Sequence, residues 1–183
     1  MQLDSPLLTS RLLLRSLTAA DATERYLGWM RDPLTTRYLE ARLVEHSLGS
    51  LRQYIESCNG GRTELLLGIF LADDHHIGNI KLGPVDRYHL NASVGLLIGE
   101  KDCWGKGYAA EAIAAVTAHA FHDMALQKLY AGCYASNVGS ARAFLKAGWS
   151  EEGRSASHWR SEGRREDNIY LGIALADWSA RQP

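Results

Sequence analysis

The hydrophobic and polar positions along the chain form short apolar runs and helical stripes that alternate throughout its length. Apolar runs bounded by glycine, proline and polar clusters predict strands, and apolar positions spaced three to four apart predict helices. Together they predict an α/β fold with a mixed central sheet of about seven strands and about four flanking helices. The predicted strands cover residues 11–17, 64–71, 77–82, 94–99, 128–134, 152–159 and 165–175, the last two joined by a turn at 161–163, and the predicted helices cover residues 18–30, 47–59, 107–122 and 137–148.

The stretch VGLLIGEKDCWGKGYAAE, residues 94–111, places an apolar run, a Gly-Lys-Gly turn and a helical pattern in direct succession. Gly105 and Gly107 can adopt positive φ angles and leave room for a ligand to approach the backbone. The helix that begins at about Tyr108 adds unpaired N–H groups and the positive end of its dipole. This combination predicts a binding site for a phosphate or pyrophosphate group.

Two common phosphate motifs fit this turn poorly. Residues 105–110 match the dinucleotide pattern G-x-G-x-x-G/A, but that pattern requires an acidic residue about 20 positions later, at the end of the next strand. Residues 129–134 contain no carboxylate. A Walker P-loop requires Ser or Thr after its Gly-Lys pair, and Lys106 is followed by Gly107. The sequence therefore argues against both classes of protein.

A second segment, YASNVGSARAFLKAGW at residues 134–149, predicts the end of a strand followed by a short helix. Asn137 is a favourable N-cap, Ser140 lies on the first helical turn, and Gly148 closes the helix. The two segments together give the order strand, phosphate turn, helix, strand and polar-capped helix.

With these motifs, the chain resembles the GNAT superfamily of acetyl-CoA-dependent N-acetyltransferases, and within it the RimJ/RimL-like branch. The resemblance rests on the order and spacing of TSRLLLR at residues 9–15, WGKGYA at 104–109, NVGS at 137–140 and KAGW at 146–149. It covers nearly the whole chain, so we expect one N-acetyltransferase domain over residues 1–183. It implies the GNAT fold, whose mixed sheet is splayed at the acetyl-CoA site.

The resemblance also implies roles for individual positions. In this family the glycine turn grips the coenzyme A pyrophosphate, the preceding strand pairs with pantetheine, and residues like Asn137 and Ser140 face the thioester. Acetyl-CoA is then a co-substrate, and neither a metal nor a prosthetic group is required. The implied cofactor contacts are Leu97, Ile98, Gly99, Trp104, Gly105, Lys106, Gly107, Tyr108, Ala109, Asn137 and Ser140.

Two positions depart from the family pattern. Trp104 stands where members often have Arg or Gln, and Phe144 stands where many have a Tyr that acts as general acid. Because a phenyl ring has no proton to give, Ser140 or a water becomes the candidate for protonating the leaving thiolate. Ser140, Asn137 and Glu100 form the predicted catalytic set, with Glu100 as a candidate base for the amine.

The acceptor amine is the least constrained part of the prediction. In RimJ/RimL-like proteins the region between the first two helices helps form the acceptor pocket, so the resemblance implies that Trp29, Tyr38 and Glu40 line it, and such a lining suits a polar amine. Packing of the first helix is the alternative role for these residues. Glu40 is also a second candidate base. Two acceptors fit about equally well: a small-molecule amine such as a nucleotide-linked amino sugar, and a protein N-terminal α-amine as in RimJ/RimL relatives. A third hypothesis is a non-catalytic CoA-binding regulatory module, because Phe144 replaces the usual Tyr.

Composition narrows the setting of this function. The 183 residues carry 20 basic and 21 acidic side chains, and the net charge of −1 argues against non-specific nucleic-acid binding. The three cysteines lack C-x-x-C spacing, which favours a reducing compartment. The first residues lack a signal-peptide pattern, and no apolar run approaches the roughly 20 residues of a membrane span. We therefore expect a cytoplasmic protein that binds neither nucleic acid nor membrane, with a homodimer left open.

Overall fold

The computed structural model describes residues 1–161 and 163–181. Glu162 and residues 182–183 lie outside the described part, so the predicted turn at residues 161–163 and the single-domain expectation for the whole chain stay predictions. A mixed sheet of eight strands forms the centre of the described part, in the order β1-β2-β3-β4-β5-β6-β8-β7. The strands are β1 (Leu7–Leu8), β2 (Leu12–Ser16), β3 (Leu65–Leu71), β4 (His76–Asp86), β5 (Asn91–Ile98), β6 (Lys128–Tyr134), β7 (Ser150–Ser161) and β8 (Arg164–Ala174).

In the described residues, four long helices and two short ones accompany the sheet, and polar side chains fix several of their starts. Thr23 accepts a hydrogen bond from the Tyr26 N–H at the first long helix, and Ser47 accepts from Ser50 at the second. Such caps satisfy backbone donors that a helix start otherwise leaves unpaired. The helices are α1 (Glu24–Arg31), α2 (Pro33–Thr36), α3 (Leu48–Gly60), α4 (Tyr108–His122), α5 (Val138–Lys146) and α6 (Leu175–Ser179).

The alternation of side chains along the central strands divides the core between two faces of the sheet. In β3, Leu65 and Leu67 belong to the cluster that includes the buried residues of α4 and α5, whereas Leu66 and Phe70 belong to the cluster built with α1 and α3. The helix that follows the phosphate turn therefore lies on one face of the sheet. The segment predicted to hold the acceptor lies on the opposite face.

The sheet opens between β5 and β6, its one parallel pair. These strands pair over Asn91–Ser93 and Lys128–Tyr130 only, although β5 continues to Ile98 and β6 to Tyr134. Beyond Ser93 the two strands diverge, so the backbone of β5 faces a gap on the β6 side. This gap is the splay that the family resemblance implied.

The predicted mixed sheet with four long flanking helices is confirmed, with two corrections. The sheet has eight strands because the two-residue β1, which pairs with β2, is too short to produce an apolar pattern. The helix predicted over residues 18–30 is wrong at its start, because Ala19–Asp21 forms a 3₁₀ turn and α1 begins at Glu24. The Asp21 carboxylate accepts a hydrogen bond from the Thr18 N–H. Thr18 and Asp21, which predicted a helix start, therefore cap the 3₁₀ turn instead.

Candidate active site

The turn between β5 and α4 has a left-handed backbone at both of its glycines. Gly105 has a φ angle of 73° and Gly107 one of 85°, in the region that favours glycine. Gly107 is the N-cap residue of α4, and among the described residues no side chain caps this helix. The first-turn N–H groups of α4 are therefore available to an anion held against the turn.

Two cationic side chains converge on this turn from distant parts of the chain. A Cβ atom at Gly107 would lie 3.5 Å from Arg11 Nη2 and 3.5 Å from Lys146 Nζ. The Arg11 guanidinium donates to the Lys106 carbonyl oxygen at 3.0 Å and is paired with the Glu111 carboxylate at 2.5 Å. Arg11 and Lys146 were not among the predicted site residues, although both belong to motifs that carried the resemblance.

The open edge of β5 presents alternate backbone groups to the gap beside β6. The Gly99 N–H donates to the Ile77 carbonyl at 2.8 Å, and the β4–β5 register then directs the backbone groups of Leu97 and Gly99 toward β4. Because these directions alternate along a strand, Leu96 and Ile98 direct theirs toward the gap. The resemblance implied Leu97, Ile98 and Gly99 for pantetheine. Of these three, Ile98 directs its backbone groups toward the gap, and Leu97 and Gly99 do not. Leu96, which was not predicted, also faces the gap.

Trp104 lies at the end of this open edge. Its indole Nε1–H donates to the Ile98 carbonyl oxygen at 2.8 Å, and the residue is 41% exposed. The indole therefore covers the last free carbonyl of β5 and adds an apolar surface beside the turn. The Arg11 guanidinium carbon lies over the Tyr108 ring, 4.6 Å from the ring centroid. Ala109 is half-buried in the first turn of α4.

The first turn of α5 holds the two polar residues that were expected to face the thioester. Asn137 Oδ1 accepts from the Ser140 N–H at 3.2 Å and so caps the helix. Burial raises the pKa of the Cys133 thiol, and the neighbouring Ser140 hydroxyl opposes this rise, so the two side chains lie together. Phe144 is buried, with its ring 4.7 Å from that of Trp149, and contributes to the core.

Glu100 and Trp29 are joined directly. The Trp29 Nε1–H donates to Glu100 Oε1 at 2.9 Å, and Arg25 Nε lies 3.8 Å from the same oxygen. Trp29 is only 6% exposed, and a Cβ atom at Gly99 would lie 2.0 Å from its ring. The indole therefore packs on the end of β5 and holds the Glu100 carboxylate. Trp29, which was predicted to bind the acceptor, lines neither of the two cavities of this region.

A first cavity, of about 450 Å³, lies between α1, α3 and the faces of β4 and β5. Its floor comes from the strands, through residues such as Asn79 and Leu97, and its roof comes from residues 39–46. Most of the lining is apolar, and Glu40, Glu45 and Lys81 supply charge. The lining residues include Tyr26, Met30, Leu39, Glu40, Val44, Glu45, His46, Leu51, Tyr54, Leu66, Asn79, Lys81, Gly95, Leu96 and Leu97.

Glu40 is held at this cavity by a residue that the sequence analysis missed. The Tyr134 hydroxyl donates to Glu40 Oε1 at 2.8 Å and accepts from Arg42 Nη2 at 3.0 Å. Burial raises the pKa of Tyr134, and so does its hydrogen bond to Glu40. The Tyr38 ring lies 5.5 Å from the Tyr134 ring, and the Trp159 ring stacks on the Tyr134 ring at 4.8 Å. Since Tyr134 is the last residue of β6, this network joins the end of β6 to the segment that roofs the first cavity.

A second cavity, of about 420 Å³, adjoins the first. The segment at residues 39–46 separates them, and this segment is anchored because Arg31 Nε and Nη2 donate to the His46 carbonyl at 3.3 and 3.0 Å. The second cavity is lined by Met30, Arg31, Pro33, Thr36, Arg42, Val44, Glu45 and His46.

Residues 1–161 and 163–181 contain no group of three His, Cys, Asp or Glu side chains placed to hold a metal ion. His119 instead faces Asp123, with Nδ1 and Oδ2 2.8 Å apart. No helix in the described part is long and apolar enough to span a bilayer.

Comparisons with known proteins add to this geometry. A family model described as an acetyltransferase (GNAT) domain matches residues 11–150. The probable N-acetyltransferase YjcK of Bacillus subtilis (strain 168) is 36% identical over 116 residues, which cover 62% of this chain and 64% of that relative. The uncharacterized N-acetyltransferase YoaA of the same strain is 29% identical over 166 residues, which cover 88% of this chain and 93% of that relative.

A solved structure has the same fold. Spermidine N-acetyltransferase from Vibrio cholerae, in complex with CoA and spermine, superimposes with a TM-score of 0.82 at 21% identity, over 93% of this chain and 99% of that one. At this identity the likeness supports the fold and leaves the acceptor of this chain open.

Proposed function

The chain belongs to the GNAT acetyltransferase family, and from that premise we propose that it moves acetyl from acetyl-CoA to the primary amine of a small molecule held in the first cavity. It is an N-acetyltransferase, so the hypothesis of a non-catalytic module is set aside. The observation that carries the acceptor proposal is the first cavity itself. It extends from Leu97 on the splayed strand to the Glu40 carboxylate, and its volume of about 450 Å³ is typical of small-molecule sites.

The family uses acetyl-CoA, and we assign its parts to groups of this chain. The pyrophosphate is assigned to the turn at Gly105 and Gly107, where a positive helix end and two cationic side chains meet. The pantetheine is assigned to the gap beside β5, where the backbone groups of Leu96 and Ile98 face outward. The thioester then lies between this strand and the first turn of α5.

Acetyl transfer in this site proceeds by direct attack in a ternary complex. The neutral amine nitrogen attacks the thioester carbon, the carbon–sulfur bond breaks, and the amine loses a proton while the thiolate gains one. Holding both reactants in place contributes several kcal/mol, and backbone N–H groups facing the developing oxyanion contribute roughly 3 kcal/mol more. The N–H groups of Leu96 and Ile98 face the gap and are the candidates for that second effect.

Of the two candidate bases, the contacts favour Glu40. Its carboxylate lines the first cavity, and the Tyr134 hydroxyl and Arg42 Nη1 both contact Oε1, which leaves the other oxygen for an amine or a bridging water. Glu100 is instead bound by the buried Trp29 indole and belongs to the lining of neither cavity. We therefore assign the amine proton to Glu40 and a supporting role to Glu100.

Ser140 is assigned the proton transfer to the leaving thiolate. Replacing it with Ala is expected to lower kcat by roughly ten- to a thousandfold with little change in acetyl-CoA affinity, as is typical of a lost general acid. Steady-state kinetics with calorimetry measure both quantities. Ser136→Ala, just before α5, is the control, because the Ser136 hydroxyl donates to Glu166 instead. Wild-type turnover in the Ser140→Ala enzyme would assign the proton to water.

The acceptor class is tested by thiol release with a panel of amines. We expect turnover of small amines, including amino sugars and nucleotide amino sugars, above that of N-terminal peptides, because the first cavity has the depth of a small molecule. Spermidine belongs in the panel because it is the substrate named for the Vibrio cholerae protein. The assay pH must leave part of each amine neutral.

The RimJ/RimL-like alternative, a protein N-terminal α-amine, is supported by the second cavity. It adjoins the first cavity on the other side of residues 39–46 and adds space for residues beyond a terminal one. Robust turnover of peptides with no response to small amines would establish that alternative and reject the small-amine acceptor.

The proposed setting is the cytoplasm. Cys58, Cys103 and Cys133 are all buried free thiols, which suits a reducing compartment. A homodimer stays a prediction, which light scattering of the purified protein would test.

A further inference from the structure

Gly95 is a glycine in the interior of β5 that neither its backbone nor its packing requires. Its φ angle lies outside the left-handed region, and a Cβ atom there would meet nothing within 4 Å. By contrast, a Cβ atom at Gly78 on β4 would collide with the Leu97 carbonyl. A glycine inside a strand weakens it, and it often marks a place where a ligand approaches the backbone closely. Gly95 lines the first cavity, so the open space above it is available to a ligand.

The side chains around this space offer mainly apolar contacts. Leu51 and Tyr54 of α3 line the same cavity. Lys81, the register partner of Gly95 on β4, is the nearest charged residue in the sheet, and its ammonium group donates to Glu64 Oε1 at 2.8 Å. Tyr54 is 38% exposed, so apolar surface stays open to solvent that an apolar ligand would cover.

Several polar groups of the first cavity are engaged within the chain itself. The Ser50 hydroxyl donates to the Ser47 carbonyl oxygen at 3.0 Å, and Asn79 Oδ1 contacts His76 Nε2 at 2.8 Å. A sugar in this cavity would bury hydroxyl groups against apolar side chains, and each buried hydroxyl without a partner weakens binding. The cavity therefore matches an amine with an apolar body better than an amino sugar.

We propose that the acceptor is a primary amine on an apolar alkyl or aryl body, and that Gly95 sets how large this body can be. This inference rests on the proposed function and narrows its small-molecule acceptor to one chemical class. The amine lies beside the Glu40 carboxylate, and the body lies over Gly95 against the side chains of α3. One cavity of about 450 Å³ holds both parts of such a molecule.

Matched acceptors test the chemical class. Cyclohexylamine and glucosamine both carry a primary amine on a six-membered ring, and they differ in the polar groups of that ring. Ethylamine, butylamine and hexylamine differ in apolar length alone. Thiol release at saturating acetyl-CoA gives kcat/KM, expressed per neutral amine so that differences in basicity do not enter. We expect cyclohexylamine to be preferred at least tenfold over glucosamine, and kcat/KM to rise roughly threefold for each buried methylene group. A preference for glucosamine, or a flat alkyl series, would overturn the proposal.

The variant Gly95→Val tests the role of this residue. Valine suits a strand, its Cβ atom meets no neighbour, and its methyl groups occupy the space that we assign to the acceptor body. We expect kcat/KM to fall at least tenfold more for hexylamine than for ethylamine, through KM, with Gly95→Ala between Gly95→Val and the wild type. Gly153→Val is the matched control, because Gly153 lies on β7 outside both cavities and a Cβ atom there also meets nothing within 4 Å. Equal losses for the two amines would mean that the substitution disturbs β5 as a whole, which would contradict the proposal.

Calorimetry separates failure of this inference from failure of the proposed function. CoA is titrated first, and hexylamine and glucosamine are then titrated separately into the CoA-saturated protein. We expect hexylamine to bind, and Gly95→Val to weaken its binding at least tenfold. Binding of glucosamine without hexylamine would overturn the apolar acceptor and keep a small-molecule amine. Failure of both amines to bind would overturn the inference, and turnover of N-terminal peptides alone would overturn the proposed function as well.

Discussion

Replacing Gly107 with Val is expected to lower the affinity for acetyl-CoA at least about 100-fold, close to 2.7 kcal/mol, in a protein that still folds. The φ angle of 85° at this position is one that a β-branched residue strongly resists. A new side chain would also project between Arg11 and Lys146, where we place the pyrophosphate. The substitution therefore both strains the turn and fills the space that the anion requires.

The control for this experiment is Gly163→Val. Gly163 has a φ angle of 77°, and a Cβ atom there would meet nothing within 4 Å. The Gly163→Val variant therefore has similar backbone strain, but between β7 and β8 and away from the turn at Gly105 and Gly107. Calorimetry with acetyl-CoA and urea denaturation measure affinity and stability in both variants. We expect both to lose stability by about 1–2 kcal/mol and only Gly107→Val to lose affinity. Undiminished affinity in a folded Gly107→Val protein would remove the pyrophosphate from this turn.

The turn was predictable from the sequence because its determinants are local. Two glycines, a preceding apolar run and a helical pattern lie within 94–111, and each acts on the backbone of its own neighbours. The same holds for α5, which begins after the predicted cap at Asn137. The strand β6 also has the predicted limits of residues 128–134, since its apolar alternation and flanking turns are equally local.

The long-range contacts of this site were not predictable in the same way. Tyr134 meets Glu40 across 94 positions of sequence, and Arg11 and Lys146 meet at Gly107 only after β2 and α5 have packed beside α4. Trp29 is an aromatic residue of a kind that often lines pockets, yet the bare backbone of Gly99, just after β5, lets it pack as a buried side chain. Such contacts depend on which elements become neighbours, and hydrophobic periodicity does not encode that choice.

Replacing Glu40 with Gln is expected to lower kcat by roughly a hundred- to ten-thousandfold, because the amine loses the carboxylate that we assign as its proton acceptor. The amide keeps an oxygen that can accept from the Tyr134 hydroxyl, so the local contacts should survive. Affinity for acetyl-CoA should be unchanged, since Glu40 lies on the acceptor face of the splay. Initial rates over a range of amine concentrations measure kcat and KM separately.

The pH dependence of this variant tells a lost base from a lost contact. A general base acts in its deprotonated form, so without it the reaction depends on amine that is already neutral in solution. The rate of Glu40→Gln should therefore keep rising with pH up to the pKa of the amine and approach that of the wild type there. A defect in KM that stays constant with pH would instead indicate a binding role.

Glu56→Gln, at an exposed site on α3, should match the wild type throughout. Wild-type kcat in Glu40→Gln would contradict the assignment and shift the test to Glu100→Gln, whose carboxylate the Trp29 indole holds beside the same strand.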